Sequence, residues 1–106
     1  YPLITYNRQA GARPYIDKMF IKSGIKPYFC CQVGEDLAAA SLVNEKAGAA
    51  VVIDHSIFNI YDFKTINIKD ADITVPMNLA VMQNSFLAGA ANEFKKFMIA
   101  NKQSLY

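Results

Sequence analysis

VGEDLAAASLVNEKAGAAVVIDH, residues 33–55, contains in direct succession a helix start, a short helix, a glycine stop and an apolar strand. Glu35 and Asp36 place negative charge in the first helical turn, where the helix dipole favours it. Gly48 follows the helix, where glycine adopts most easily the left-handed conformation that ends a helix. The apolar run at 49–53 does not alternate with polar residues, which predicts a strand covered on both faces. The stretch therefore predicts a helix packed on a sheet.

The flanking sequence continues this alternation of strands and helices. Pro14 suits the first turn of a helix, because its missing N–H is no loss there, and Gly24 ends that helix. The order of elements predicts an α/β fold with a mixed, mostly parallel sheet and helices on both faces. We expect residues 1–106 to form a single lobe. The predicted strands lie at 3–6, 27–33, 49–53, 65–68 and 73–82, and the predicted helices at 13–23, 37–43 and 86–101.

Composition limits the classes of function. The 106 residues are 53% hydrophobic and carry a net charge of +2, with no basic stripe along the chain. One small domain with a real core is therefore expected, and nucleic-acid contact by this chain is not. The uncharged run at 73–92 contains Pro76 and several amide side chains, so we read it as strand plus helix rather than a membrane span. The start at Tyr1, without an initiator methionine, indicates a piece of a longer protein.

Residues capable of catalysis do not form a recognisable motif. Cys30 and Cys31 are adjacent, so on a strand they point to opposite faces, and we interpret them as core residues of a cytoplasmic protein, with a redox sensor as the alternative. His55 is the only histidine and follows Asp54. No nucleophile elbow, metal-ligand spacing or phosphate-binding loop is present, so we predict no catalytic residue, metal or cofactor. A small enzyme using Cys31 or His55 is a further alternative.

Two loops are candidates for binding a small molecule. In an open α/β sheet, ligands meet the carboxyl ends of the strands beside helix N-termini. Arg8 offers a bidentate partner for a carboxylate, and its neighbours offer neutral hydrogen bonds. The alternative is that these are ordinary turn residues. The predicted ligand-binding residues are Thr5, Tyr6, Asn7, Arg8 and Gln9 after the first strand, and Val33, Gly34 and Glu35 after the second.

The first helix carries more apolar surface than one sheet face requires. Core packing explains part of it, and a subunit interface is the alternative explanation. The candidate interface residues are Tyr15, Ile16, Met19 and Phe20.

Three segments together resemble the effector-binding domain of LysR-type bacterial transcription regulators. The stretch PLITYNRQAGARPYIDKMFIKSGIKP, residues 2–27, is similar to the strand, polar loop and helix that open the second lobe of that domain. Residues 33–55 resemble its helix, turn and run of small apolar residues. VPMNLAVMQNSFLAGAANEFKKFM, residues 75–98, resembles its final strand and helix. No single motif is specific, but the ordered set covers nearly the whole chain.

The resemblance implies a lobe of the type 2 periplasmic-binding-protein fold, with a closing helix at 86–101 that would pack on a first lobe outside this chain. It implies a non-enzymatic, cytoplasmic homodimer without a cofactor, which binds a small anionic metabolite in a cleft between lobes. DNA would be contacted only through a winged helix-turn-helix domain absent from this chain. Thr5→Val and Arg8→Ala are expected to weaken effector binding. An extracytoplasmic solute-binding protein of the same fold is the alternative.

Overall fold

The computed structural model describes residues 1–71, 73–84 and 86–102, and it confirms the α/β class. A 3-10 helix occupies Ser56–Ile60. In the described part of the chain the strands are β1 (Leu3–Tyr6), β2 (Phe29–Val33) and β3 (Ala49–Ala50), and the α-helices are α1 (Arg13–Ser23), α2 (Asp36–Asn44) and α3 (Gly89–Ala100).

The three strands form one parallel sheet in the order β2-β1-β3. Tyr6 pairs with Val33 on one side of β1, and Leu3 pairs with Ala49 on the other. The connections β1-α1-β2 and β2-α2-β3 run across the sheet in opposite directions. Because such connections are right-handed, the two helices lie on opposite faces of the sheet. The predicted parallel pairing is confirmed.

Side chains of β1 alternate between the two helices. Ile4 packs with Val33 and with Ala39 of α2, which forms the centre of the hydrophobic core. Thr5 lies on the other face and pairs across the strands with Gln32, whose side chain meets α1 through a hydrogen bond from Arg13. The last residues of β1 are therefore covered from both sides.

The ends of the two helices in the sheet region follow local chemistry. Pro14 lies in the first turn of α1, and Gly24 ends the helix in the left-handed conformation with φ of 70°, as predicted. Helix α2 ends differently from the prediction. Lys46 takes the left-handed position with φ of 60°, and its N–H and that of the next residue bond to carbonyls of the last turn. This is the hydrogen-bond pattern of a Schellman motif, so the prediction that Gly48 ends the helix is wrong.

Gly48 is required for a different reason. A Cβ at this position would lie 2.6 Å from the carbonyl oxygen of Pro2, which is a backbone atom. The N–H of the next residue, Ala49, donates to this same carbonyl over 3.1 Å. The glycine therefore lets β3 approach the start of β1 closely.

The strand predicted at 49–53 is shorter and less buried than expected. Only Ala49–Ala50 is in strand, although the N–H of Val51 still donates to the carbonyl of Ile4 at 2.9 Å. Ala49 is exposed, and residues 50–53 are half-buried. Coverage on both faces was a wrong prediction, because β3 is at the edge of the three-stranded sheet.

The strands predicted at 65–68 and 73–82 are absent from the structure, so the sheet of the described residues is not mixed. Apolar alternation makes a strand possible, but a strand forms only where a neighbour accepts its backbone bonds. Pro76 has no N–H to donate.

Contacts divide the chain into two compact units, Tyr1–Val75 and Pro76–Tyr106, where the sequence predicts one lobe. The first unit holds the sheet with α1 and α2. The second contains α3, within the predicted closing helix at 86–101, and this helix exposes Phe94, Phe97 and Ile99.

Candidate functional site

The carboxyl ends of the strands form the site that the fold offers to a ligand. In parallel α/β sheets, ligands bind outside these ends, where strand order reverses. Here the chain leaves β1 towards β2, whereas β3 lies on the other side of β1. The point of reversal is therefore the gap between the ends of β1 and β3, and the loops after all three strands surround it.

The structure brings the two predicted loops together but buries three of their residues. The N–H of Asn7 donates to the carbonyl of Val33 over 2.7 Å, which joins the two loops at their start. Thr5 is 0% exposed and Tyr6 is 6% exposed, so neither side chain reaches solvent. Of the eight predicted ligand-binding residues, Thr5, Tyr6 and Val33 are buried, Asn7 is half-buried, and Arg8, Gln9, Gly34 and Glu35 are exposed.

Asn7 shapes the loop after β1. Its side-chain oxygen accepts hydrogen bonds from the N–H groups of Gln9 and Ala10, each at 3.1 Å. This local turn holds the backbone between β1 and α1 in one conformation. Arg8 sits on the turn with its side chain exposed, and no hydrogen bond or ion pair holds it among the described residues. Its guanidinium is thus available to a carboxylate.

Tyr6 connects the ends of the three strands through its side chain. Its hydroxyl donates to Oδ1 of Asp36, in the first turn of α2, and accepts from the N–H of Ile53 at 3.3 Å. Burial, followed by the hydrogen bond to Asp36, raises the pKa of Tyr6 well above its ordinary value of 10.0. The N–H of Ile53 acts in the opposite direction but is the weaker influence. The hydroxyl therefore stays protonated and bridges the two neighbouring loops.

Arg13 binds the end of β1 from the opposite face. Its Nη1 donates to the carbonyl of Tyr6 at 2.7 Å and to the side chain of Gln32 at 3.1 Å. Its Nε pairs with Asp17 at 2.8 Å, and the guanidinium lies 5.0 Å from the ring centre of Phe29. These partners satisfy the charge of a side chain that is 6% exposed.

The loop after β3 carries two exposed polar residues, Asp54 and His55. Nδ1 of His55 accepts a hydrogen bond from the N–H of Ile57 at 3.1 Å, so His55 caps the 3-10 helix. Asp54 follows Ile53 directly and is therefore next to the Tyr6 bridge.

The two cysteines considered for catalysis or redox chemistry are neighbours on β2. Cys30 and Cys31 are both free thiols, the first exposed and the second half-buried against the core. Across the described ranges, no three histidine, cysteine or carboxylate side chains come close enough to hold a metal ion. None of the helices in those ranges has the length and apolar composition needed to cross a bilayer.

The candidate interface on α1 is only partly on the surface. Ile16 is 1% exposed and belongs to the interior, whereas Tyr15, Met19 and Phe20 are half-buried. Phe20 packs edge-on against Phe29 at 5.8 Å between ring centres. The most exposed apolar side chain of the helix is Ile21, at 80%.

Sequence reasoning missed the roles of Arg13, Asp36 and Ile53 at this site. Arg13 had one local signal, because Asp17 follows it by four residues, the spacing of an ion pair on a helix. Asp36 was noticed only for its charge in the first turn of α2. Its bond to Tyr6 spans 30 residues of sequence, so no local pattern could indicate it.

Comparison of the chain with protein-family models gave no match, and comparison with curated proteins and with solved structures gave no significant match. Support for a function therefore comes from the fold and from the geometry at the strand ends.

Proposed function

We propose that this chain is the effector-sensing lobe of a LysR-type transcription regulator, a cytoplasmic protein that binds a small anionic metabolite in a cleft between two lobes. The observation that supports the proposal is the fixed arrangement of loops around the carboxyl ends of the parallel strands. Buried side chains hold these loops from both faces of the sheet, while Arg8 and Gln9 remain free for a ligand.

The order of the strands also supports the proposed function. The order β2-β1-β3 is how doubly wound sheets of the 2-1-3-4-5 type begin, and such sheets bind ligands at the reversal next to β1. A lobe of the type 2 periplasmic-binding-protein fold is the form we propose for this sheet. In the intact protein a first lobe would face the same strand ends, and the ligand would lie between them.

Arg8 is the residue we assign to the anionic group. A guanidinium pairs with a carboxylate in two parallel hydrogen bonds, and its planar shape lowers the freedom lost per bond. Glu35, on the neighbouring loop, is exposed and negative, so it would disfavour an anion placed beyond the end of β2. The carboxylate is therefore expected on the Arg8 side.

The proposed mechanism is a shift between open and closed lobes. A ligand that contacts both lobes binds the closed form better and increases its population. Changed geometry in a dimer would then reposition the DNA-binding domains. We propose that the exposed part of α1, with Tyr15, Met19, Phe20 and Ile21, contributes to that dimer.

The experiment is a nuclear magnetic resonance titration of the ¹⁵N-labelled chain with a panel of mono-, di- and tricarboxylates. At least one acid is expected to shift the amides of Arg8 and Gln9. Arg8→Ala should abolish that shift, and Lys18→Ala, which removes an exposed charge from α1, should not. No shift at these amides with any acid, or equal responses of the two variants, would contradict the proposal.

An extracytoplasmic solute-binding protein would use the same strand ends. The two classes differ in what precedes this chain in the protein as synthesised, a DNA-binding domain or a secretion signal.

A further inference from the structure

The backbone ladder between β1 and β3 ends with the bond from Val51 to Ile4. The N–H of Ala49 donates to the carbonyl of Pro2 at 3.1 Å, and that of Val51 donates to the carbonyl of Ile4 at 2.9 Å. Parallel ladders advance by two residues on each strand. The next bond of the series would run from the N–H of Ile53 to the carbonyl of Tyr6.

Both groups that this bond would join are instead hydrogen-bonded to side chains. The Tyr6 carbonyl instead accepts from Nη1 of Arg13 at 2.7 Å, and the N–H of Ile53 donates to the Tyr6 hydroxyl at 3.3 Å. On the other side of β1 the ladder does not stop early, because the N–H of Asn7 reaches the carbonyl of Val33. Backbone hydrogen bonds thus continue to the end of β1 on the side of β2, whereas on the side of β3 they end before Tyr6.

We propose that Tyr6 and Arg13 are positioning residues that hold the end of β3 away from β1 and so keep a crevice open for the ligand. This inference rests on the proposed function, and it assigns to two side chains the opening of the gap between β1 and β3 at which the ligand is proposed to bind. Residues 53–55 become one wall of the site, and the anionic group of the ligand stays assigned to Arg8, because the exposed carboxylate of Asp54 would oppose it.

The arrangement uses two polar side chains where the backbone alone could supply a bond. A ladder bond between Ile53 and Tyr6 would need no side chain, whereas the observed one requires a buried arginine and a buried tyrosine hydroxyl. Buried polar groups of this kind are retained where they fix one geometry among alternatives. Here the alternative is a closed ladder in which the crevice disappears.

The first test is amide hydrogen exchange in Tyr6→Phe. The Ile53 N–H loses its acceptor and is expected to exchange about five- to tenfold faster, as befits one lost hydrogen bond. The Val51 N–H keeps its bond to Ile4 and should exchange as before. Tyr28→Phe, which alters an exposed ring, is the matched control. Unchanged exchange at Ile53, or equal acceleration at Val51 and Ile53, would overturn the inference.

A second test asks whether the ladder closes when both positioning side chains are removed. In Tyr6→Phe combined with Arg13→Met, the carbonyl at position 6 is free. A scalar coupling across the hydrogen bond from the Ile53 N–H to that carbonyl is then expected, with slower exchange than in Tyr6→Phe alone. A folded double variant without this coupling would overturn the role of Arg13.

Neither measurement requires the effector. If the exchange and coupling results contradict the roles of Tyr6 and Arg13, the carboxylate titration at Arg8 can still support the proposed function. If the titration fails, the hydrogen bonds at the ladder end can still be as described, so the two failures are distinguishable.

Discussion

Arg13 donates to the carbonyl oxygen of Tyr6 at 2.7 Å, from the face of the sheet opposite to the tyrosine side chain. The hydroxyl of the same tyrosine binds Asp36 and the N–H of Ile53 on the other face. The last residue of β1 is thereby fixed by its backbone and by its side chain at once. Four parts of the chain that are distant in sequence meet at this residue.

Removal of the tyrosine hydroxyl should destabilise the protein. Tyr6→Phe leaves the half-buried carboxylate of Asp36 and the N–H of Ile53 without their partner, which costs about 1–3 kcal/mol in the free energy of unfolding. Urea denaturation of both proteins measures the difference. Tyr28→Phe, at an exposed position, should change stability by less than about 0.5 kcal/mol. Equal effects of the two variants would show that the hydroxyl bridge contributes nothing.

Stability should fall at alkaline pH because of Tyr6. Its pKa is higher in the folded than in the unfolded chain, so between those two values the folded protein binds more protons. The stabilising contribution is complete below pH 10.0, the ordinary pKa of tyrosine, and is lost as the pH rises towards the folded value. The slope is at most about 1.4 kcal/mol per pH unit. Urea denaturation between pH 9 and pH 11 should show a smaller decline in Tyr6→Phe, and parallel declines would contradict this assignment.

Two substitutions in the turn after α2 should change the stability of the protein in opposite directions. Lys46 adopts the left-handed conformation at φ of 60°, which is strained for any residue with a Cβ, so Lys46→Gly should raise stability by about 1 kcal/mol. Gly48→Ala places a Cβ 2.6 Å from the carbonyl of Pro2 and should lower stability by about 1–3 kcal/mol. Thermal unfolding of both variants is sufficient. An increase in stability in Gly48→Ala would indicate that the backbone at Pro2 moves to make room for the added Cβ.

Thr5→Val should stabilise the protein rather than impair a site. Thr5 Oγ1 is buried and makes no hydrogen bond to any of the residues described, and valine has the same shape without the hydroxyl. The gain expected from removing an unsatisfied polar group is about 1 kcal/mol, by urea denaturation. Thr65→Val, at an exposed position, is the control. A loss of stability would indicate a partner for the hydroxyl.

The parts of the fold that local chemistry determines could be predicted from the sequence. Helix α2 and the stop at Gly24 follow from charge, apolar spacing and the freedom of glycine. The strands expected at 65–68 and 73–82 could not be judged in this way, since a strand depends on a neighbour elsewhere in the chain. That Lys46, and not Gly48, takes the left-handed position could not be predicted either. Gly48 is needed for its contact with Pro2, which is distant in sequence.

The candidate site shows the same division. Its location at the strand ends followed from the predicted parallel sheet, and Arg8 and Gln9 are exposed there as a ligand site requires. The burial of Thr5 and Tyr6 was not predictable, because alternation along β1 gives each side chain a face but not the partner it meets. The Tyr6 bridge to Asp36 and Ile53 depends on the order of the strands, which the sequence left open.

The most direct measurement is the intact mass and N-terminal sequence of the protein as it is first synthesised. The proposed function predicts a longer chain that opens with a winged helix-turn-helix domain and continues through a first lobe into the β1 segment described above. A chain that opens with a cleaved secretion signal, or that contains no DNA-binding domain, would contradict it.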